Sequence, residues 1–294
     1  MLLVAGCQAG SSPGIDPAES IAVTDDLGRT VQVPRHVRRI VSLTPTTTEI
    51  LFAVGAGKKV VGVSGDCNYP AEATSRETVG RFHAPSLERI VALEPDVVFA
   101  GNLKQPVVES LARLGIPVVA LFADSLEGVY RDIHLAGRIA GTANEADALV
   151  GEIKTRLAKL EAKVKGLAAV DRPRVCYLLH HGEGSLWTAS GRSYLGELLD
   201  RAGGRNVFAE LETPYPSFSE ELLLAHNPQV ILVSTAPGEE SATRAAIRTR
   251  PGWHVLDAVT NHRIHCLDAD LMSRPGPRIA AAAEAIAAAL TAQP

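Results

Sequence analysis

Short apolar runs and helical stripes alternate along this chain, and the alternation happens twice, on either side of a long stretch without proline. Before that stretch, RIVSL (39–43), VVGVS (60–64), DVVFA (96–100) and IPVVALF (116–122) read as buried strands. LERIVALEP (87–95) and VVESLARLG (107–115) between them carry the helical period. After it, RVCYLL (174–179), QVILVST (229–235) and RIHCLD (263–268) are strands. SYLGELLDRAGG (193–204), SEELLLAHNP (219–228) and PRIAAAAEAIAAAL (277–290) are helices. Strands alternating with helices predict βα units and a mainly parallel sheet in each half. The stretch itself, residues 144–168, places Ala148, Ile153, Leu157 and Leu160 on one stripe and Glu152, Lys154, Lys159 and Lys163 elsewhere. A helix of that length is roughly 35–40 Å long, enough to join two lobes rigidly.

Two local signals sharpen the first half. IAVTDDLGRTVQVP (21–34) alternates around an Asp-Asp-Leu-Gly turn and predicts a hairpin. Thr46 and Glu49 form a T-x-x-E capping box, with Gly55 suited to the end of that helix. The halves also echo each other. Glu49-Ile-Leu-x-x-Val-Gly55 matches Glu197-Leu-Leu-x-x-Ala-Gly203, and Glu88 and Glu221 each lie seven residues before a proline, Pro95 and Pro228. Pro85-Ser86 and Pro216-Ser217 precede the two helices.

The net charge of −4 offers no basic surface for nucleic acid, and no run of 18 apolar residues is present. Met1 to Cys7 reads as the end of a lipoprotein signal with Cys7 as the lipidated residue, followed by a polar tether from Gly10 to Gly14. A lipid there anchors a protein without spanning the membrane. The other cysteines, Cys67, Cys176 and Cys266, show no metal-site spacing. Cys176 and Cys266 could bridge in an oxidising compartment, whereas small buried side chains are the ordinary role of each.

No G-x-S-x-G, Walker or G-x-G-x-x-G motif supplies an enzyme. His180, His181 and Glu183 leave a cleft enzyme as an alternative. Aromatics instead gather in loops after strands: Tyr69, Phe82 beside His83, Trp187 and Tyr215, in a chain with only 4% aromatics. Open α/β sheets bind ligands at the carboxyl ends of their strands, and flat rings suit a large, flat ligand. Asp270 and Arg274 flank a loop where the arginine can donate to ligand oxygens with the aspartate as its charge partner.

VTDDLGRTVQVP, RIVSLTPTTTEILFAVGAGKKVVGVS, NYP, VGRFHAPSLERIVALEPDVVFAG, the central helix, GRNVF, PSFSEELL and RPGPRI together resemble the helical-backbone periplasmic binding proteins of cobalamin, haem and ferric-siderophore importers, most of all the cobalamin binders. The resemblance implies an α/β fold of two Rossmann-like lobes joined by a rigid helix, with the ligand cleft between them. The corresponding boundaries are 1–20 for signal and tether, 21–142 and 170–294 for the lobes, and 143–169 for the helix. It implies a monomeric carrier without cofactor or metal, in the periplasm or at the outer face of the cytoplasmic membrane. Such a carrier hands a small molecule to an ABC permease dimer, with Glu88 and Glu221 matching glutamates that dock on permease arginines. Trp187 matches a pocket phenylalanine, Tyr215 a pocket tryptophan, and Phe82 or His83 another. Asp270 and Arg274 match polar residues near the corrin side chains. Asp66, beside Cys67, stands where a pocket tyrosine is usual. His83 and Cys67 could instead meet a metal centre as in haem carriers. Haem or a ferric siderophore therefore remains the alternative ligand.

Overall fold

The computed structural model describes residues 17–101, 106–166, 168, 170–180, 182 and 185–292. By contact density the chain divides into two compact units, residues 1–122 with 131–147 and residues 123–130 with 148–294.

The first unit opens with the expected hairpin, β1 (Ser20–Thr24) and β2 (Thr30–Pro34), in antiparallel register from Ser20↔Pro34 to Thr24↔Thr30. Its sheet is built from β3 (Ile40–Ser42), β4 (Val60–Val63), β5 (Glu77–Thr78), β8 (Val97–Ala100) and β9 (Val118–Ala120). All run parallel in the order β5-β4-β3-β8-β9. A small hairpin, β6 (Gly80–Arg81) with β7 (Ala84–Pro85), hangs from β5. Helices α1 (Pro45–Ala53), α2 (Leu87–Ala92) and α3 (Pro106–Arg113) connect the strands. Val41, Leu43, Ile90, Val98 and Leu111 belong to the apolar core beneath them.

The second unit repeats the plan. Its sheet comprises β10 (Arg174–Leu178), β12 (Arg205–Asn206), β14 (Val230–Thr235) and β15 (Ile264–Asp268), parallel in the order β12-β10-β14-β15. A two-stranded antiparallel piece, β11 (Leu186–Trp187) with β13 (Ser217–Phe218), lies outside it. The helices are α6 (Tyr194–Arg201), α7 (Glu220–His226), α8 (Glu240–Arg248), α9 (Asp257–Thr260), α10 (Ala269–Ser273) and α11 (Ile279–Thr291). Cys176, Leu178, Phe208, Ile231 and Trp253 are core. Cys67, Cys176 and Cys266 are all unbridged.

The internal echo in the sequence is structural. In each unit the first strand sits centrally, its successor turns to one side, and the strand after the Glu-bearing helix lies on the other. Gly55 (φ 77°) follows α1 and Gly203 (φ 89°) follows α6, each in the left-handed conformation that ends a helix. Glu94 (φ 44°) and Asn227 (φ 41°) hold the same conformation before Pro95 and Pro228.

Three details depart from the sequence expectation. The cap of α1 is Thr44, whose side chain accepts the Thr47 N–H, with Pro45 at the first helical position. Thr46 therefore lies inside the helix, because Thr44 already has the extended backbone a cap needs. The long helix, α5, spans Ala143–Val164, about 33 Å at 1.5 Å per residue, and stops before Gly166 (φ 105°). Helix α4 (Leu126–Ala140) goes beyond expectation, although buried Leu126, Val129, Tyr130, Ile133 and Ala136 follow the helical period.

Candidate functional site

In a parallel sheet the crevice for ligands opens where neighbouring strands turn in opposite directions, at their carboxyl ends. That point falls between β3 and β8 in the first unit and between β10 and β14 in the second. The sequence candidates cluster around these two edges.

At the first edge, β3 runs into a knot of buried hydroxyls. Ser42 Oγ lies 2.6 Å from Thr47 Oγ1 and accepts from Thr48 Oγ1 at 2.7 Å. Thr48 Oγ1 is 3.2 Å from Cys67 Sγ. Mutual pairing satisfies these groups away from water. It also holds Cys67 under the surface at 5% exposure. Asp66 faces the other way along the loop. Its carboxylate accepts the Phe82 N–H at 2.7 Å, the Ser64 hydroxyl at 3.0 Å and the Arg81 guanidinium at 3.0 Å. The Phe82 amide, followed by Ser64 and Arg81, holds the acid below the usual carboxylate range against a partial desolvation. Asp66 thus ties the β6–β7 hairpin to the end of β4. Gly80 makes that hairpin feasible, because at φ 104° a Cβ would lie 2.6 Å from the Ala84 carbonyl. The hairpin carries Phe82 and His83, whose rings meet edge-on at 4.7 Å and 62°. His83 and Tyr69 are exposed, and Phe82 is half-buried.

At the second edge the holding forces differ. Leu179 N–H donates to the Trp187 carbonyl at 2.9 Å, and Trp187 N–H to the His180 carbonyl at 3.1 Å. On its other side Trp187 pairs with Ser217 in the β11–β13 ladder. Strand alternation turns Leu186 and Thr188 inward and leaves Trp187 42% exposed. Thr188 N–H reaches the Pro216 carbonyl, next to Tyr215. The Tyr215 ring packs edge-on against Tyr194 at 6.3 Å. Burial, the first cause in each case, pushes both phenols well above their ordinary range. The Tyr194 hydroxyl also donates to the Met272 carbonyl on α10. That short helix precedes Arg274, where an open loop is predicted, and Arg274 caps its end. Arg274 Nη2 lies 2.7 Å from Asp270 Oδ1, the pairing expected, with the arginine buried and the aspartate half-exposed. Trp187, Tyr215, Asp270 and Arg274 are therefore brought into one neighbourhood.

Glu88 and Glu221 are equivalent, though not through the Pro-Ser pairs. Ser86 caps α2, whereas Ser219 caps α7 and Ser217 lies in β13. Each glutamate is the second helical residue of its helix and is exposed. Each helix runs antiparallel to the strand it feeds, so both carboxylates stand toward the carboxyl edges. The backbone N–H of Glu221, then the Ser219 side chain, hold its acid below the ordinary range.

Tyr194 and Phe122 were outside the sequence candidates. Tyr194 stands at a capped helix start, where an aromatic is usually core, and only the structure shows its contact with Tyr215. Among the described residues, no three His, Cys, Asp or Glu side chains gather to hold a metal ion, and no helix is long and apolar enough to cross a membrane. His180 is exposed; His181, Glu183 and Cys7 lie outside the described residues.

A family model described as periplasmic binding protein matches residues 40–271. A vitamin B12-binding protein of Vibrio parahaemolyticus is 30% identical, over 82% of this chain and 85% of its own. An uncharacterized ABC transporter substrate-binding lipoprotein of Bacillus subtilis is 28% identical, over 91% of this chain and 84% of its own. A periplasmic haem-binding protein of Pseudomonas aeruginosa superposes with a TM-score of 0.75 at 28% identity, covering 88% of this chain and 95% of that one.

Proposed function

Because the chain belongs to the periplasmic binding protein family, we propose that it is the substrate-binding component of an ABC importer and that its ligand is a corrinoid. The observation that carries this reading is the pair of aromatic rims at the carboxyl edges of the two parallel sheets. Tyr69, Phe82 and His83 form one rim; Trp187 and Tyr215 form the other, with Asp270 and Arg274 beside them. Flat rings gain dispersion and apolar burial against a broad macrocycle without demanding directional bonds. The guanidinium of Arg274 supplies donors for amide or carboxylate side chains at the macrocycle's edge. Relatives described as vitamin B12-binding proteins support the same ligand class.

In this reading the protein works outside the cytoplasmic membrane, held by a lipid on Cys7. It delivers its ligand to a permease through Glu88 and Glu221, while ATP is hydrolysed by other subunits. The chain's part is capture, orientation and release.

One observation favours haem as a second reading. His83 is an exposed imidazole beside an aromatic ring, the arrangement an axial iron ligand needs, and a solved relative is described as haem-binding. Cys67, buried behind Thr48, does not share that position. A catecholate siderophore calls for several unpaired cations, whereas Arg274 and Arg81 are each paired with an aspartate.

Calorimetric and visible-absorbance titration with cyanocobalamin, cobinamide, haemin and a ferric siderophore decides between these. One-to-one binding of both corrinoids, at micromolar Kd or below, is the expected result. If haemin alone binds, with a spectral shift that disappears in His83→Ala, the ligand is haem. Chemical conversion of any bound probe would turn the assignment toward an enzyme.

A further inference from the structure

The carboxyl edge of the first sheet has a second margin, and an aromatic side chain stands on it too. Phe122 follows β9, the edge strand opposite β5, and is 58% exposed. Resting on the corrinoid reading above, we propose that Phe122 is a ligand-contacting, specificity-determining residue that closes the far side of the first aromatic rim.

Three observations carry this. The first is cost. Burying a phenylalanine stabilises a fold, yet here the ring is left outside while its backbone is firmly held. The second is the hold itself, which comes from the Asp-Asp turn of the first hairpin. Asp26 accepts the Phe122 N–H and is paired with Arg131, 2.8 Å from Nη2, with its own side chain 4% exposed. Asp26 N–H donates to the Ala120 carbonyl at 3.2 Å, and Asp25 accepts the Ala120 N–H at 3.2 Å. Arg29, bridged to Asp25, reaches the Val118 carbonyl at 3.0 Å. Two carboxylates and two guanidiniums thus fix the end of β9, so the ring stands on a rigid base. The third is position. Phe122 stands just past the end of β9, at the margin of the order β5-β4-β3-β8-β9 opposite the strand that feeds the Phe82–His83 hairpin, so aromatic surface stands at both margins of one carboxyl edge, as a broad flat ligand uses. Leu114 is equally exposed, at 57%, but follows α3 at the amino end of β9. It is therefore an internal control.

The test is titration of purified wild type, Phe122→Ala, Phe122→Tyr, Leu114→Ala and Trp187→Ala with cyanocobalamin, cobinamide, haemin and a ferric siderophore. For whichever probe the wild type binds, Phe122→Ala should raise Kd at least about tenfold, as loss of one ring contact does. Phe122→Tyr should stay within about threefold and Leu114→Ala should match wild type. Superimposable thermal melts of the wild type and Phe122→Ala verify that the fold is retained. If Phe122→Ala binds like wild type while Trp187→Ala is weakened, the inference fails and the proposed function stands. If the wild type binds none of the four probes, both fall.

Discussion

The two aromatic rims are built on equivalent edges of equivalent sheets, yet they are held by opposite chemistry. The first is held by carboxylates: Asp66 fixes the hairpin bearing Phe82 and His83, and Asp26 fixes the strand end bearing Phe122. The second is held by packing and backbone: Trp187 is laced into a ladder on both sides, and Tyr215 leans on Tyr194, which is bonded to α10. A duplicated plan has therefore kept its strand order while the means of presenting a flat surface diverged. The rigidity of the first rim depends on ionised groups and that of the second on buried neutral ones.

The strongest way to break this contrast is to compare single truncations. Trp187→Ala should weaken corrinoid binding by about 2–3 kcal/mol, roughly 30- to 150-fold, as expected for a rigidly presented aromatic anchor. Tyr69→Ala should cost less than about 1.4 kcal/mol, since that ring sits on a loop. Equal losses in calorimetry would erase the asymmetry. Next in size is Tyr194→Phe. It leaves the buried Met272 carbonyl without its partner, so urea unfolding should show a loss of about 1–3 kcal/mol. Unchanged stability would mean that the Tyr194 hydroxyl does not brace the second rim.

Acid and base separate the rims further. Asp66 has a folded pKa below its unfolded value near 3.8. Its contribution is thus fully present above about pH 3.8 and is lost as pH falls through the lower folded value. Tyr194 and Tyr215 are shifted the other way from 10.0. Their contribution is present below about pH 10 and is lost as pH rises beyond that. Hydrogen exchange at the Phe82 amide should accelerate in Asp66→Asn at neutral pH, by roughly tenfold for loss of a charge-assisted bond. Protection around Trp187 should not move. Coupled loss at both places would show one cooperative site instead of two. The smallest expected effect on binding belongs to Glu88→Arg with Glu221→Arg. These exposed positions should leave Kd within about twofold, while uptake by cells is abolished; unchanged uptake would remove both from the permease interface.

Much of this was legible in the chain itself. Short apolar runs marked the sheet strands and the 3.6 period marked the central helix, while alternation around the Asp-Asp-Leu-Gly turn marked the hairpin. The equal spacing of Glu88 and Glu221 from their prolines marked the internal repeat. The cap of α1 lies at Thr44 and not at Thr46, because a T-x-x-E spacing also occurs just inside a helix whose cap closes a strand. Asp66 was legible as a candidate, but its engagement with Phe82 was not. That bond joins residues 16 positions apart, and local pattern is silent about it.

The sequence by itself determined two α/β halves, the helix between them, and a set of aromatics placed after strands, because periodicity and turn chemistry are local properties. Only the tertiary structure decided which of those aromatics share an edge, that Cys67 is covered by Thr48, and that Phe122 stands exposed on a strand end pinned by Asp26. Those facts depend on strand order and on hydrogen bonds between distant residues, and both are settled only when the sheets assemble.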